Sequence, residues 1–224
     1  MNELGLVQQI AVIALPIIFA VTVHEASHAW VADKLGDKTA RALGRVTFNP
    51  IPHIDPIGTI ILPIGLYVLS SLAGGMGLLF GWAKPVPVLV SRLNNPRRDM
   101  ALVALAGPGA NLGMAILWGL LAKIGGENAM ALGQFAEPMV YMGLFGILIN
   151  LFLMVLNLVP ILPLDGGRVV NSLLPAGLAV KYAKLEPYGI IILLVLLLAG
   201  VLGPVLLPIV KGLQSGVYTL TGLQ

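Results

Sequence analysis

The chain has 224 residues, of which 58% are hydrophobic and 10% charged, with a net charge of +3. A soluble domain carries about 25% charged residues, and one core of this size could not hide so much apolar surface from water, so the solvent is lipid. The hydrophobicity excludes disorder, the lack of a basic stripe excludes a nucleic-acid reader, and the absence of cysteine excludes disulfides and thiolate ligands.

The first apolar run, about 6–33, exceeds the roughly 20 residues of one helical crossing. Its opening residues include Glu3 and no Lys or Arg, and the run continues into a charged motif. It therefore reads as a retained membrane helix rather than a cleaved signal. Within it stands His24-Glu25-Ala26-Ser27-His28. On a helix, positions i and i+4 share a face, so both imidazoles can reach one metal ion. The Glu between them is placed to act as general base toward water. Two histidines merely packed in a core are the alternative. Three ionisable residues within five membrane positions argue against it, because each is costly there. The helix exits near Lys34, so at about 1.5 Å per residue the histidines lie roughly 9–15 Å inside that end.

Lys34, Lys38, Arg41 and Arg45 follow, before a Gly- and Pro-rich apolar segment, 57–81. Lys84, Arg92, Arg97 and Arg98 come after it. The positive-inside rule puts both basic loops in the cytoplasm. The segment between them must then enter and leave on one side, and it is too short for two helical crossings. A re-entrant hairpin is expected, broken near Gly74-Gly75-Met76-Gly77. The competing reading is a kinked helix with one basic loop outside. Residues 84–90 read as extended, because each Pro pushes its predecessor toward β or PPII geometry. Val86–Val90 is the candidate sheet edge.

A third run, 100–122, contains Gly107-Pro108-Gly109-Ala110-Asn111. Its small residues let helices approach closely, and Asn111 is assigned an interhelical structural role. The next loop carries Glu127 and Glu137. A fourth run, 138–158, leads into Asn157 and then Asp165-Gly166-Gly167. Arg168, Lys181 and Lys184 make a third basic stretch before a fifth run, 188–210, which has no charged residue. Trp30, Trp82 and Trp118 are candidate interfacial anchors. The expected fold is an all-α polytopic membrane protein. It has four spanning helices (6–33, 100–122, 138–158, 188–210), the membrane-inserted hairpin 57–81 and a short extended edge segment.

A catalytic zinc takes three protein ligands and keeps one open position. Beyond His24 and His28, His53 and Asp165 are both acceptable, and chemistry alone leaves the choice nearly even. A turn explains Asp165-Gly166 equally well.

The His24–His28 motif, the Asn157 to Asp165-Gly166 block and the Gly107–Asn111 segment together resemble the site-2 proteases, zinc metallopeptidases that cut inside the membrane. The resemblance implies His24, His28 and Asp165 as ligands of one Zn2+, with His53 the runner-up. It also implies Glu25 as the base and Asn157 as a residue that helps hold substrate or oxyanion. The stretch 44–59 looks like the compact prokaryotic branch, without PDZ or CBS domains. A parity argument agrees. One metal sits at one depth, so an even number of crossings must separate His28 from Asp165. The third and fourth runs supply two, and 57–81 must supply none or two.

The expectation is thus a single integral-membrane peptidase domain, 1–224, of the cell membrane, with its active site toward the cytoplasm. It would be a zinc-dependent intramembrane endopeptidase acting on transmembrane proteins or peptides. Its other partner is the lipid bilayer, and nucleic acid is not expected. A metal transporter or a zinc-binding scaffold are the alternatives. A transporter needs polar residues along several helices, whereas here they gather on one side. A scaffold has no need of Glu25.

Overall fold

The computed structural model describes residues 4–62, 65, 68 and 81–223. These form helices and connecting segments, with no β-strand among the described residues. The first helix, α1, spans Leu6–Lys34. Helix α2 spans Pro96–Glu127 and α3 spans Ala136–Asn157. Four shorter helices follow: α4 (Asp165–Leu173), α5 (Ala176–Ala183), α6 (Gly189–Leu198) and α7 (Leu202–Thr221).

Local chemistry sets these bounds. Pro96 occupies the first position of α2, where its missing N–H costs nothing. Asp99 in that first turn accepts the Asn95 N–H at 2.7 Å. Beyond α1, Arg41 grips Asp33 through Nε and Nη2 at 2.7 and 2.6 Å, folding the basic loop back onto the helix end. Asp55 accepts the Ile57 and Gly58 N–H groups at 3.0 and 2.7 Å, so it caps the turn Pro56–Ile61.

Among the described residues, three helices are long and apolar enough to cross a membrane, Leu6–Lys34, Pro96–Glu127 and Ala129–Asn157, and the bent pair Ala176–Leu198 and Leu202–Thr221 makes a fourth if it is one span. The three agree with the expected spans 6–33, 100–122 and 138–158, and α2 runs several residues further at both ends. The last expected span, 188–210, is not one continuous helix, although the bent pair of helices there is apolar enough to cross as one broken span. Helix α6 stops at Leu198, and α7 leaves at 87° to the 176–198 stretch. Gly200 causes the stop. Its φ is +70°, its N–H reaches the Leu197 carbonyl at 3.0 Å, and the Val201 N–H reaches Leu196 at 3.0 Å. That is a Schellman ending, which glycine adopts without steric penalty.

Helix α2 is central, packing on α1, α3, α4 and α7. Ala115, Trp118, Ile147, Leu151, Leu206 and Val210 form the main core between α2, α3 and α7. Trp118 is therefore a core residue, not an interfacial anchor. Trp30 is 53% exposed.

Most of the expected hairpin 57–81, including its break at 74–77, lies outside the described residues. Its two ends are described, and they meet. The Trp82 N–H donates to the Gly58 carbonyl at 3.0 Å, and the Thr59 hydroxyl donates to the Trp82 carbonyl at 2.9 Å. The expected edge segment runs without regular structure from 81 to 89, and Val90–Arg92 forms a 3-10 turn. Its partners are loops and side chains rather than a strand.

Candidate active site

Helix α1 presents His24 and His28 on one face, against α2. Val103, Gly107 and Asn111 are spaced by four along α2 and so share the facing stripe. His24 Nδ1 lies 2.6 Å from Asn111 Oδ1, and His28 Nδ1 lies 2.7 Å from the Val103 carbonyl oxygen. Gly107 sits between these contacts. A Cβ there would come within 2.5 Å of both imidazoles. The absent side chain is what lets two rings fit between the helices.

The third group arrives from α4. Asp165 is its first residue, following the loop that leaves α3. Gly166 and Gly167 allow that turn to press on the backbone of Leu158 and Ile161. His24 Nε2 is 3.2 Å from Asp165 Oδ2, His28 Nε2 is 3.3 Å from Oδ1, and the two Nε2 atoms are 3.0 Å apart. All three side chains are buried.

This donor set fits a zinc ion. Both Nδ1 atoms face oxygens, so neutral rings aim their Nε2 lone pairs at one another and at a carboxylate. Without a cation such convergence is repulsive. Asp165 Oδ2 makes no hydrogen bond among the described residues although it is buried. A tetrahedral ion with arms of about 2.0 Å requires ligand atoms about 3.3 Å apart. The observed 3.0–3.3 Å lies close to that value.

His53 stands outside this cluster. It is buried, with Nε2 3.1 Å from the Thr47 carbonyl, and its own carbonyl accepts the Lys84 N–H at 2.9 Å. It supports the strap 82–89, which crosses near Glu25. The Val86 N–H donates to Glu25 Oε2 at 2.9 Å, Arg45 Nη2 donates to the Lys84 carbonyl at 2.6 Å, and the Leu89 N–H donates to Asp37 Oδ2 at 2.6 Å. Asn157 ends α3 and donates one amide hydrogen to the Leu153 carbonyl at 2.9 Å.

The sequence reading singled out Gly107 and Asn111 for close packing and interhelical contact, but not as neighbours of the two histidines, and it missed the Val103 carbonyl. Their spacing of four along one helix was the available signal. Periodicity says that residues share a face, but not which neighbouring helix they face.

The fold and site together define a helical, multi-pass membrane protein with a buried two-histidine, one-carboxylate centre. Comparison with known proteins gives the family. Residues 121–200 match the model described as Peptidase family M50. The chain is 36% identical over 209 residues to "Putative zinc metalloprotease YwhC" of Bacillus subtilis, covering 93% of this chain and 90% of that one. It is 30% identical over 181 residues to "Putative zinc metalloprotease Rip2" of Mycolicibacterium smegmatis, and 31% over 183 residues to the protein of that name from Mycobacterium tuberculosis. Each Rip2 match covers 81% of this chain and 64% of the relative. No solved structure matches. The chain belongs to peptidase family M50, the site-2 protease family.

Proposed function

We propose that the chain is a zinc-dependent endopeptidase that hydrolyses peptide bonds in or near transmembrane segments of membrane proteins. The observation that carries this is the convergence of His24, His28 and Asp165, with Glu25 one residue along the same helix. The relatives' printed names support the metal and the peptidase class.

His24, His28 and Asp165 hold the ion. Zinc, when bound, supplies Lewis acidity, polarising a peptide carbonyl and acidifying water. Glu25 takes the proton from the attacking water and passes it to the leaving amide nitrogen. One of its oxygens accepts from Val86, which leaves the other for the proton. Asn157 keeps a second amide hydrogen for the carbonyl oxygen of the bond being cut.

A helical substrate hides its carbonyls and must unwind before attack. The strap offers an edge for the unwound strand by β-addition. Lys84 and Val86 turn their N–H groups inward, to His53 and Glu25. Pro85 and Pro87 have no N–H, so the opposite edge donates nothing at those positions.

The re-entrant course of 57–81 belongs to the same reading. Its support is the hydrogen bonding between residues 58–59 and 82, since one crossing would part those ends by about 30 Å. The active site then opens toward the cytoplasm of a multi-pass cell-membrane protein. A lone cysteine in place of Arg92 should resist labelling from outside intact cells.

The test is zinc content and cleavage of a transmembrane peptide by purified wild type, Glu25→Gln, Asp165→Ala and His53→Ala. Glu25→Gln should keep its zinc and lose about 10²–10⁴-fold in rate. Asp165→Ala should lose both zinc and activity, and His53→Ala should keep its zinc. Zinc lost only from His53→Ala would overturn the ligand assignment. Full activity in Glu25→Gln would overturn the base.

A further inference from the structure

Asn111 and Asn150 lie in the middle of the helical bundle, and both are 0% exposed. Two uncharged amides in an apolar core are costly unless every hydrogen bond has its partner. Their bonds run in one direction, which can be read from the fixed end. Asn150 Nδ2 lies 2.8 Å from the Gly146 carbonyl, a group that only accepts. That atom must be the NH2, so Asn150 turns its oxygen the other way. The oxygen meets Asn111 Nδ2 at 3.0 Å. Asn111 Nδ2 also lies 3.2 Å from the Ala20 carbonyl, a second group that only accepts. Both hydrogens of the Asn111 amide are thereby committed. Its oxygen is left facing His24 Nδ1 at 2.6 Å, and it can only accept there.

We propose that Asn111, oriented by Asn150 and the Ala20 carbonyl, is a positioning residue that fixes the hydrogen of His24 on Nδ1 and frees Nε2 for the metal. For His28 a backbone carbonyl, that of Val103, does the same work. The two ligands thus reach one tautomer by different means. The His28 partner is main chain and survives any substitution at position 103, whereas the His24 partner is a side chain and can be deleted. With the oxygen gone, a buried Nδ1–H has no acceptor. The ring then favours the tautomer whose hydrogen points at the other ligands. Partners of this kind typically account for about 10–100-fold in metal affinity.

The inference rests on the metal-site reading above, and the experiment separates the two. Zinc affinity is measured by chelator competition on full-length protein in detergent, for wild type, Asn111→Leu, Asn150→Leu, Leu151→Ala and Asp165→Ala. Asn111→Leu should bind about 10–100-fold more weakly. Asn150→Leu should lose less, because Ala20 still orients Asn111. Leu151→Ala empties volume in the same core and should lower thermal stability with zinc affinity unchanged. Wild-type affinity in Asn111→Leu overturns the inference, and so does an equal loss in Leu151→Ala. A wild type that binds no zinc, or an Asp165→Ala that binds as tightly, instead overturns the metal-site reading.

Should Asn111→Leu not fold, the zinc-loaded wild type still decides. In 15N-histidine-labelled protein, with His53 signals assigned through His53→Gln, both ligating rings should carry Nδ1–H. An Nε2–H signal from either ring overturns the inference.

Discussion

Around His24 and His28, polar atoms are fixed by helices pressed together in the core. Along 82–89 they are held by scattered partners: the loop side chains of Asp37 and Arg45, the Glu25 carboxylate of α1 and the His53 carbonyl. In the first region, positions 103, 107 and 111 of α2 set where each ring sits, and no member moves without moving a helix. In the second, Asp37, His53 and Glu25 each hold one backbone N–H of the strap, and Arg45 holds the Lys84 and Pro85 carbonyls. The first region is rigid because interiors are close-packed and transmit strain. The second is modular, so one anchor can be removed while the others hold. On the proposed reading, a protease that keeps its metal ligands fixed while admitting a substrate strand has use for both.

Gly107→Ala strikes the rigid region and should have the larger effect. The added Cβ falls 2.5 Å from His24 Cε1 and His28 Nε2, and ring atoms in a packed interface have little room to yield. Overpacking costs about 1–3 kcal/mol, and here it is spent on displacing both ligands at once. Zinc affinity and turnover should fall together by about 10–100-fold, scaling the cost at roughly 1.4 kcal/mol per tenfold. Metal titration and steady-state rates check it. Unchanged zinc affinity would show that the rings can yield, and that the rigid side of the contrast is overstated.

The two regions also differ in how far the sequence disclosed them. His24, Glu25 and His28 are neighbours on one helix, so their spacing announces them. Asp165 is 137 positions beyond His28, and only resemblance chose it over His53. In the structure Asp165 lies beside the two histidines, whereas the His53 carbonyl accepts the Lys84 N–H. Asn111 was legible as a buried polar residue but not as the partner of His24. Helix bounds for 6–33 and 138–158 came through well, because uninterrupted apolar runs leave few alternatives. The break inside 188–210 was not legible, because hydropathy does not register one glycine at φ +70° that turns the chain by nearly a right angle. The strap was recognised by its prolines. Its anchors were not, since loop charges twenty to sixty positions away leave no periodic mark.

Asp37→Asn loosens the strap at one point and should act more mildly. The Asp37 carboxylate accepts from the Leu89 N–H and from Thr39, through both its backbone N–H at 3.0 Å and its hydroxyl at 2.5 Å. Hydrogen bonds to a charged group contribute about 1.5–3 kcal/mol, and the amide keeps part of this. The helices and the metal centre should be untouched, with zinc affinity unchanged. KM for a transmembrane substrate should rise by about tenfold or less, and kcat should change less than KM. A fall in zinc affinity would show that strap and centre are one unit, erasing the contrast.

The smallest effect is a pH response confined to the strap. Burial raises the Asp37 carboxyl, but the Thr39 and Leu89 hydrogen bonds and the nearby Arg92 charge outweigh it, so the group titrates below its ordinary value. A carboxyl with a lowered pKa contributes anchoring that is complete above its ordinary value, about 3.9, and is lost as pH falls through the lower, bound value. Between pH 8 and about 5 the strap should therefore show no change attributable to Asp37. Because the chain has no cysteine, Leu89→Cys provides a unique site for a nitroxide, and it preserves the backbone N–H that Asp37 holds. The label's mobility should stay flat down to about pH 5 and rise only below the ordinary carboxylate range. In the Asp37→Asn background the label should already be mobile at neutral pH, and this step should vanish. A step of equal size in both backgrounds would assign the transition to a group other than Asp37.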